Sequence, residues 1–99
     1  MEETLEKTQI DNEIKLEEPK MTSVFLLNDN YSTFDFVVKV LVNVFHKTNA
    51  EAQNITIEVH KGGRGLAGIY LKDIALTKVV KVSKMSRKEK YPLKAVIEK

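Results

Sequence analysis

Six apolar residues, Phe34, Val37, Val38, Leu41, Val44 and Phe45, fall at i, i+3, i+4, i+7, i+10 and i+11, the spacing of one helix face. A stripe of that length has to be buried, so the chain must supply a sheet or further helices to cover it. Just before it, the run from Ser23 to Leu27 is short, β-branched or aromatic, and is halted by the turn-forming Asn28-Asp29-Asn30, which predicts a first strand. Ser32 followed by Asp35 forms a capping-box-like start: the hydroxyl accepts a backbone N–H and the carboxylate sits at the positive helix end.

Further along, Thr48 or Asn49 caps a second helix through Ala52, Ile55 and Val59, ended by Gly62-Gly63, although Ile55 to Val59 also reads as a strand. Gly68 to Leu71 reads as a short second strand. Ala75, Val79 and Val82 then share a face of a third helix whose remaining surface carries Lys78, Lys81, Lys84, Arg87 and Lys88. After Pro92, Lys94 to Glu98 alternates like a closing strand. The expected order is β-α-α-β-α-β, an α+β domain with helices packed on a small sheet.

Ninety-nine residues hold one core at most, and no apolar run approaches the roughly 18 residues of a membrane span. The absence of cysteine excludes disulfides, thiolate metal sites and a cysteine nucleophile, and fits a reducing compartment. No apolar signal core marks the first twenty residues, so nothing there argues for export. Charge is unevenly spread. Residues 1–20 carry seven acids against three lysines, a net of −4, and the remainder thirteen bases against seven acids, a net of +6. With only Leu5, Ile10, Ile14 and Leu16 as aliphatic residues between the acids, residues 1–21 read as a flexible acidic extension bounded near Pro19, and 22–99 as the folded core.

Gly63-Arg64-Gly65-Leu66-Ala67-Gly68 spells G-x-G-x-x-G, but a dinucleotide site needs a strand before the glycines and a helix after them; here the order is reversed. Gly62-Gly63-Arg64-Gly65 matches the G-x-x-G of an RNA-clamping loop, while a helix cap followed by a tight turn explains the same glycines. His46 and His60 both sit at helix ends, where a packed histidine or a helix-end cation is the ordinary reading. Asn30-Tyr31-Ser32 and Asn54-Ile55-Thr56 match glycosylation sequons, which carry no meaning without export. No catalytic constellation, paired carboxylates or metal-ligand spacing stands out, so residue types and spacing alone leave an interaction module of open partner.

Taken together, Val24-Phe25-Leu26-Leu27-Asn28-Asp29-Asn30-Tyr31-Ser32-Thr33-Phe34-Asp35-Phe36-Val37, Val59-His60, Gly68-Ile69-Tyr70, Ala75, Thr77-Lys78 and Tyr91-Pro92-Leu93 resemble the ClpS family of protease adaptors. The resemblance implies three antiparallel strands with three helices, no catalytic activity, no cofactor and no metal. It also implies a cytoplasmic monomer that binds neither nucleic acid nor membrane. By the same resemblance the partners are proteins whose first residue is Leu, Phe, Tyr or Trp, the N-degrons, and the N-terminal domain of a ClpA-like AAA+ unfoldase that receives them. Asn28, Asp29 and His60 match the ligands of the substrate α-amino group. Phe34, Val37, Thr56, Val59 and Leu93 match the walls of the side-chain pocket, and Asn30 and Ser32 its rim. Asp73, Thr77 and Lys78 match the unfoldase interface, and the N-terminal extension matches a segment that engages the unfoldase pore.

Some positions depart from the family pattern. Thr56 stands where the family commonly has a methionine that excludes β-branched first residues, Phe34 replaces a frequent methionine, and Asp73 replaces a glutamate. Two other classes compete: the C-terminal domain of the ribosomal stalk protein, which shares the α/β fold, and a small RNA-binding module using the basic helix and the glycine turn.

Overall fold

The computed structural model describes residues 20–99. The extension expected over residues 1–21 lies outside the described residues except for Lys20 and Met21, and Met21 already belongs to the first strand. The elements are β1 (Met21–Leu27), α1 (Phe34–Asn43), α2 (Asn49–Gly62), β2 (Arg64–Leu71), α3 (Lys72–Glu89) and β3 (Lys94–Glu98), in the expected order β-α-α-β-α-β. The strands form one antiparallel sheet with β1 at the centre, in the order β2-β1-β3.

Alternation along β1 decides the two faces. Thr22, Val24 and Leu26 point into the core, at 3%, 0% and 0% exposure, and the helices pack on that side. α3 lies against all three strands, α2 against β2, and α1 against α2. The other face of the sheet keeps Met21, Leu66 and Ile69 exposed, and there the Arg64 guanidinium lies 4.0 Å from the Phe25 ring centre while pairing with Glu98.

Three local expectations are corrected. The cap of α1 is Thr33, whose side chain accepts the Phe36 N–H at 3.1 Å; Ser32 lies one residue outside the cap position, its N–H donating to the Asp29 carboxylate at 2.6 Å and its hydroxyl capping nothing. The buried face of α1 uses Phe36 and Val40 where the stripe reading used Phe34 and Val38, since the helix is apolar almost all round and the Phe36 ring is held 4.5 Å from that of Tyr91. Finally, β2 begins at Arg64 rather than Gly68. Gly63, at φ 90°, ends α2 in the left-handed conformation, and the glycines that follow are strand residues. A Cβ on Gly65 would lie 2.7 Å from Val59 Cγ2 and 3.1 Å from the Ile55 carbonyl oxygen, so only glycine lets β2 pass this close to α2.

The ambiguous Ile55–Val59 stretch is helical. Thr48 and Glu51 form a reciprocal capping box, which nucleates a helix where the local β-branched residues would accept a strand.

Candidate functional site

At the C-terminal end of β1 the chain leaves the sheet through Asn28 and Asp29. The Asn28 N–H donates to the Gly63 carbonyl at 2.9 Å, tying this turn to the end of α2, where His60 sits one helical turn back. Asp29 Oδ1 accepts from the N–H groups of Tyr31 at 2.7 Å and Ser32 at 2.6 Å, an Asx-type turn that fixes the carboxylate. Burial raises the pKa of Asp29, but the Ser32 N–H, the Ser32 hydroxyl, the Tyr31 N–H and the facing His60 together outweigh it and hold the carboxyl below its ordinary value. The Ser32 hydroxyl acts from outside hydrogen-bond geometry. Among the described residues, Asp29 Oδ2 and Ser32 Oγ are screened from solvent with no hydrogen-bond partner.

Beside this carboxylate, the rings of Phe34 and His60 lie 5.9 Å apart. Phe34 is 38% exposed and His60 is exposed, whereas Val37, Thr56, Val59 and Leu93 are at 1%, 0%, 1% and 3%. Val37, Val59 and Leu93 belong to the same core cluster. Thr56 satisfies its hydroxyl by donating to the Ala52 carbonyl at 2.7 Å, a bond to its own helix that leaves the methyl group as its packing surface. Leu93 arrives from the other side. Leu27 pairs with Lys94, which sets the Pro92-Leu93 bend next to Asn28, and Ser86 Oγ anchors the Leu93 carbonyl at 2.9 Å. Asn30 is exposed and Ser32 buried on the same turn.

The structure therefore gathers Asn28, Asp29, Phe34 and His60 around one turn, with Val37, Val59 and Leu93 in the core behind it. Gly63 and Gly65 belong to this arrangement and were missed as site-builders, because a glycine run between predicted elements reads as a turn. Their signal is their position directly after Val59-His60. Among the described residues no group of three His, Cys, Asp or Glu side chains comes together to hold a metal.

Asp73, Thr77 and Lys78 lie elsewhere. α3 starts where Leu71 pairs with Met21, at the opposite end of β1 from Asn28, and a seven-residue strand spans roughly 20 Å. Asp73 and Thr77 are exposed, Thr77 donating to the Asp73 carbonyl at 3.0 Å. Lys78 is half-buried. Its ammonium donates to the Val44 carbonyl at 2.7 Å and sits 5.4 Å from the Tyr70 ring centre, and burial, with Lys81 nearby, lowers its pKa. It thus ties α3 to the end of α1, which has no basic residue in its own last turn.

Residues 17–96 match the family described as ATP-dependent Clp protease adaptor protein ClpS. The chain belongs to the ClpS family. Among curated relatives, the ATP-dependent Clp protease adapter protein ClpS of Acetivibrio thermocellus is 47% identical over 95 residues, covering 94% of this chain and 96% of that protein. The protein of the same name from Clostridium acetobutylicum is 50% identical over 92 residues, covering 89% and 91%. The structure of Agrobacterium tumefaciens ClpS2 bound to L-phenylalaninamide superposes with a TM-score of 0.79 at 30% identity, covering 82% of this chain and 98% of that one. The fold is thus that of a ClpS adaptor, and membership sets aside the stalk-protein reading. A Clp protease adaptor implies a Clp component as partner. No described helix is long and apolar enough to cross a membrane.

Proposed function

We propose that this ClpS-family chain captures proteins by a free α-amino group and a bulky apolar first residue, and delivers them to a Clp AAA+ unfoldase. The observation that carries this reading is the ionised Asp29 carboxylate, fixed by two N–H groups and facing His60 beside Phe34. An α-amino group has a pKa of about 8 and is mostly cationic at neutral pH, so it calls for a fixed anion and neutral acceptors. Asp29 supplies the charge; Asn28 and His60 supply acceptors, directly or through water. The ligand of the Agrobacterium protein carries the matching groups, a free amine, a benzyl side chain and an amide in place of the peptide bond.

Behind the amine, the first side chain enters between Phe34 and the buried Val37, Thr56, Val59 and Leu93. Because those four are closed off and Phe34 is partly exposed, entry requires the Phe34 ring to turn aside, and the side chain gains roughly 1.5 to 3 kcal/mol on burial. Asn30 and Ser32 border the path of the peptide backbone.

Calorimetry with peptides differing only in their first residue tests the proposal. Phe and Leu bind, Gly does not, and Ile binds measurably but about 1 to 3 kcal/mol more weakly than Leu, because Thr56 leaves space for a β-methyl that a methionine would fill. Thr56→Met restores exclusion of Ile. Equal affinity for Gly- and Phe-initiated peptides contradicts the pocket.

For delivery, Asp73→Ala on the exposed start of α3 slows degradation of a Phe-initiated reporter by the Clp protease without changing peptide affinity, the two sites being at opposite ends of β1. Lys78→Ala is expected to differ, adding a stability loss of about 1.5 kcal/mol because a part-buried charged hydrogen bond to the end of α1 disappears. A shift of the urea midpoint in Lys78→Ala but not in Asp73→Ala separates the two roles; weakened peptide binding in Asp73→Ala contradicts the proposed interface.

A further inference from the structure

The helices cover the inner face of the sheet unevenly. Val24 and Leu26 on β1 are fully buried, whereas their partners on β3, Ile97 and Ala95, face the same side and are only half-buried. The gap lies between β3 and α3. Three cavities follow it: about 360 Å³ where Ile97 meets Lys72, about 220 Å³ where Ala95 meets Val79 and Ser83, and about 250 Å³ where Leu93 meets Ser86 and Arg87. Numbers rise along α3 as they fall along β3, so the cavities adjoin in one groove beside the strand.

One wall of this groove is backbone. Among the described residues β3 pairs with β1 alone, so every second residue of Lys94–Glu98 turns its N–H and C=O outward. Its register with β1 is unbroken. β2, the other edge strand, carries a register shift opposite Val24 and Phe25, which spoils it for further pairing. On the helix wall, Leu76 and Val80 precede Ser83 by seven and three residues and so continue its stripe; they are 44% and 50% exposed. The groove thus offers a free strand edge and apolar side chains together.

Charge then selects the occupant. Among the described residues no acid lines any of the three cavities, while Lys72 and Lys99 stand at one end and Arg87 and Lys94 at the other. Glu98 of the same strand is held on the outer face by Arg64. Lysines beside an edge strand deter pairing with another strand in general. A strand that carries carboxylates at its own ends converts that deterrent into attraction. We propose that β3 and α3 form a docking groove for an extended segment of another protein, apolar in its middle and acidic at both ends, which adds as a fourth strand beside β3. The five residues of β3 span roughly 17 Å, which sets the length of the paired part.

Hydrogen exchange on the full chain, read by NMR, tests this with the peptide Glu-Glu-Val-Thr-Val-Glu-Glu, acetylated and amidated at its ends. The acetyl group keeps the probe from using the amino-group turn, so the outcome is independent of that reading. Saturating peptide is expected to slow exchange of the outward β3 amides at least about tenfold, while its counterpart with lysines for glutamates does not. Arg87→Glu/Lys94→Glu weakens binding of the acidic peptide at least about tenfold, because carboxylates then face carboxylates. Should that variant fail to fold, Arg87→Gln/Lys94→Gln is expected to weaken it at least about threefold. Unchanged β3 exchange at millimolar acidic peptide overturns the proposal, as does equal protection by the lysine counterpart. Protection that rises with protein concentration in the absence of peptide also overturns it, since the occupant is then a second copy of the chain.

Discussion

Asp29→Ala is expected to weaken binding of a Phe-initiated peptide by roughly 2 to 5 kcal/mol, at least about thirtyfold, because the peptide's cation then loses its paired anion in a partly desolvated site. Asp29→Asn is the more telling variant. It keeps an acceptor for the Tyr31 and Ser32 N–H groups, so the turn persists while the charge is gone, and its affinity is expected to fall nearly as far. The pH dependence follows from the sign of the shift. Asp29 has a lowered pKa in the folded chain, so its contribution to stability is complete above the ordinary carboxylate value and is lost as pH falls through the lowered one. Peptide affinity tracks the same ionisation on the acid side and declines above a pH of about 8 as the peptide amine deprotonates. Titration calorimetry across that range checks both limbs; a wild-type affinity in Asp29→Asn removes the charge from the account.

Leu26→Ala is expected to cost about 2 to 5 kcal/mol of folding stability. Leu26 is at 0% exposure on the central strand, and a domain of this size has only about 5 to 15 kcal/mol in total. Ile69→Ala offers the contrast: at 52% exposure on the uncovered face of the sheet it leaves no cavity and is expected to change stability by no more than about 0.5 kcal/mol. Urea denaturation reads both, as a lowered midpoint at constant slope for Leu26→Ala and almost no change for Ile69→Ala.

How far the chain could be read in advance depended on whether a single local force decided each element. β1 and β3 were readable because short β-branched runs end in turn or proline signals. The Asn28-Asp29 turn was readable because its chemistry is local, a carboxylate closing onto N–H groups two and three residues ahead. By contrast, the rotation of α1 was not readable: with apolar residues on nearly every side, long-range packing chooses the buried face, including the contact of Phe36 with Tyr91 about fifty-five residues away, and that choice leaves Phe34 at the site. The first half of β2 was hidden for a related reason. Its glycine, Gly65, is required by the approach of α2 rather than by a turn. Lys78 looked like one cation of a solvated stripe, and its role emerges only because the end of α1 offers a carbonyl and no base of its own.

The pocket positions show the same division. Val37 and Val59 were predictable as apolar helix-face residues, whereas Leu93 reaches the site only through the pairing of β1 with β3. His60 was ordinary as a helix-end histidine and became informative once the Asn28 to Gly63 bond set it against Asp29.

The central claim is that a free α-amino group is recognised at the Asn28-Asp29-His60 turn. Its most direct test is calorimetry at neutral pH with two peptides identical except that the amino group of the leading Phe is free in one and acetylated in the other. Acetylation removes the cation and leaves the benzyl group in place, and the account predicts a loss of roughly 2 to 5 kcal/mol. Equal affinity for the two peptides would contradict it.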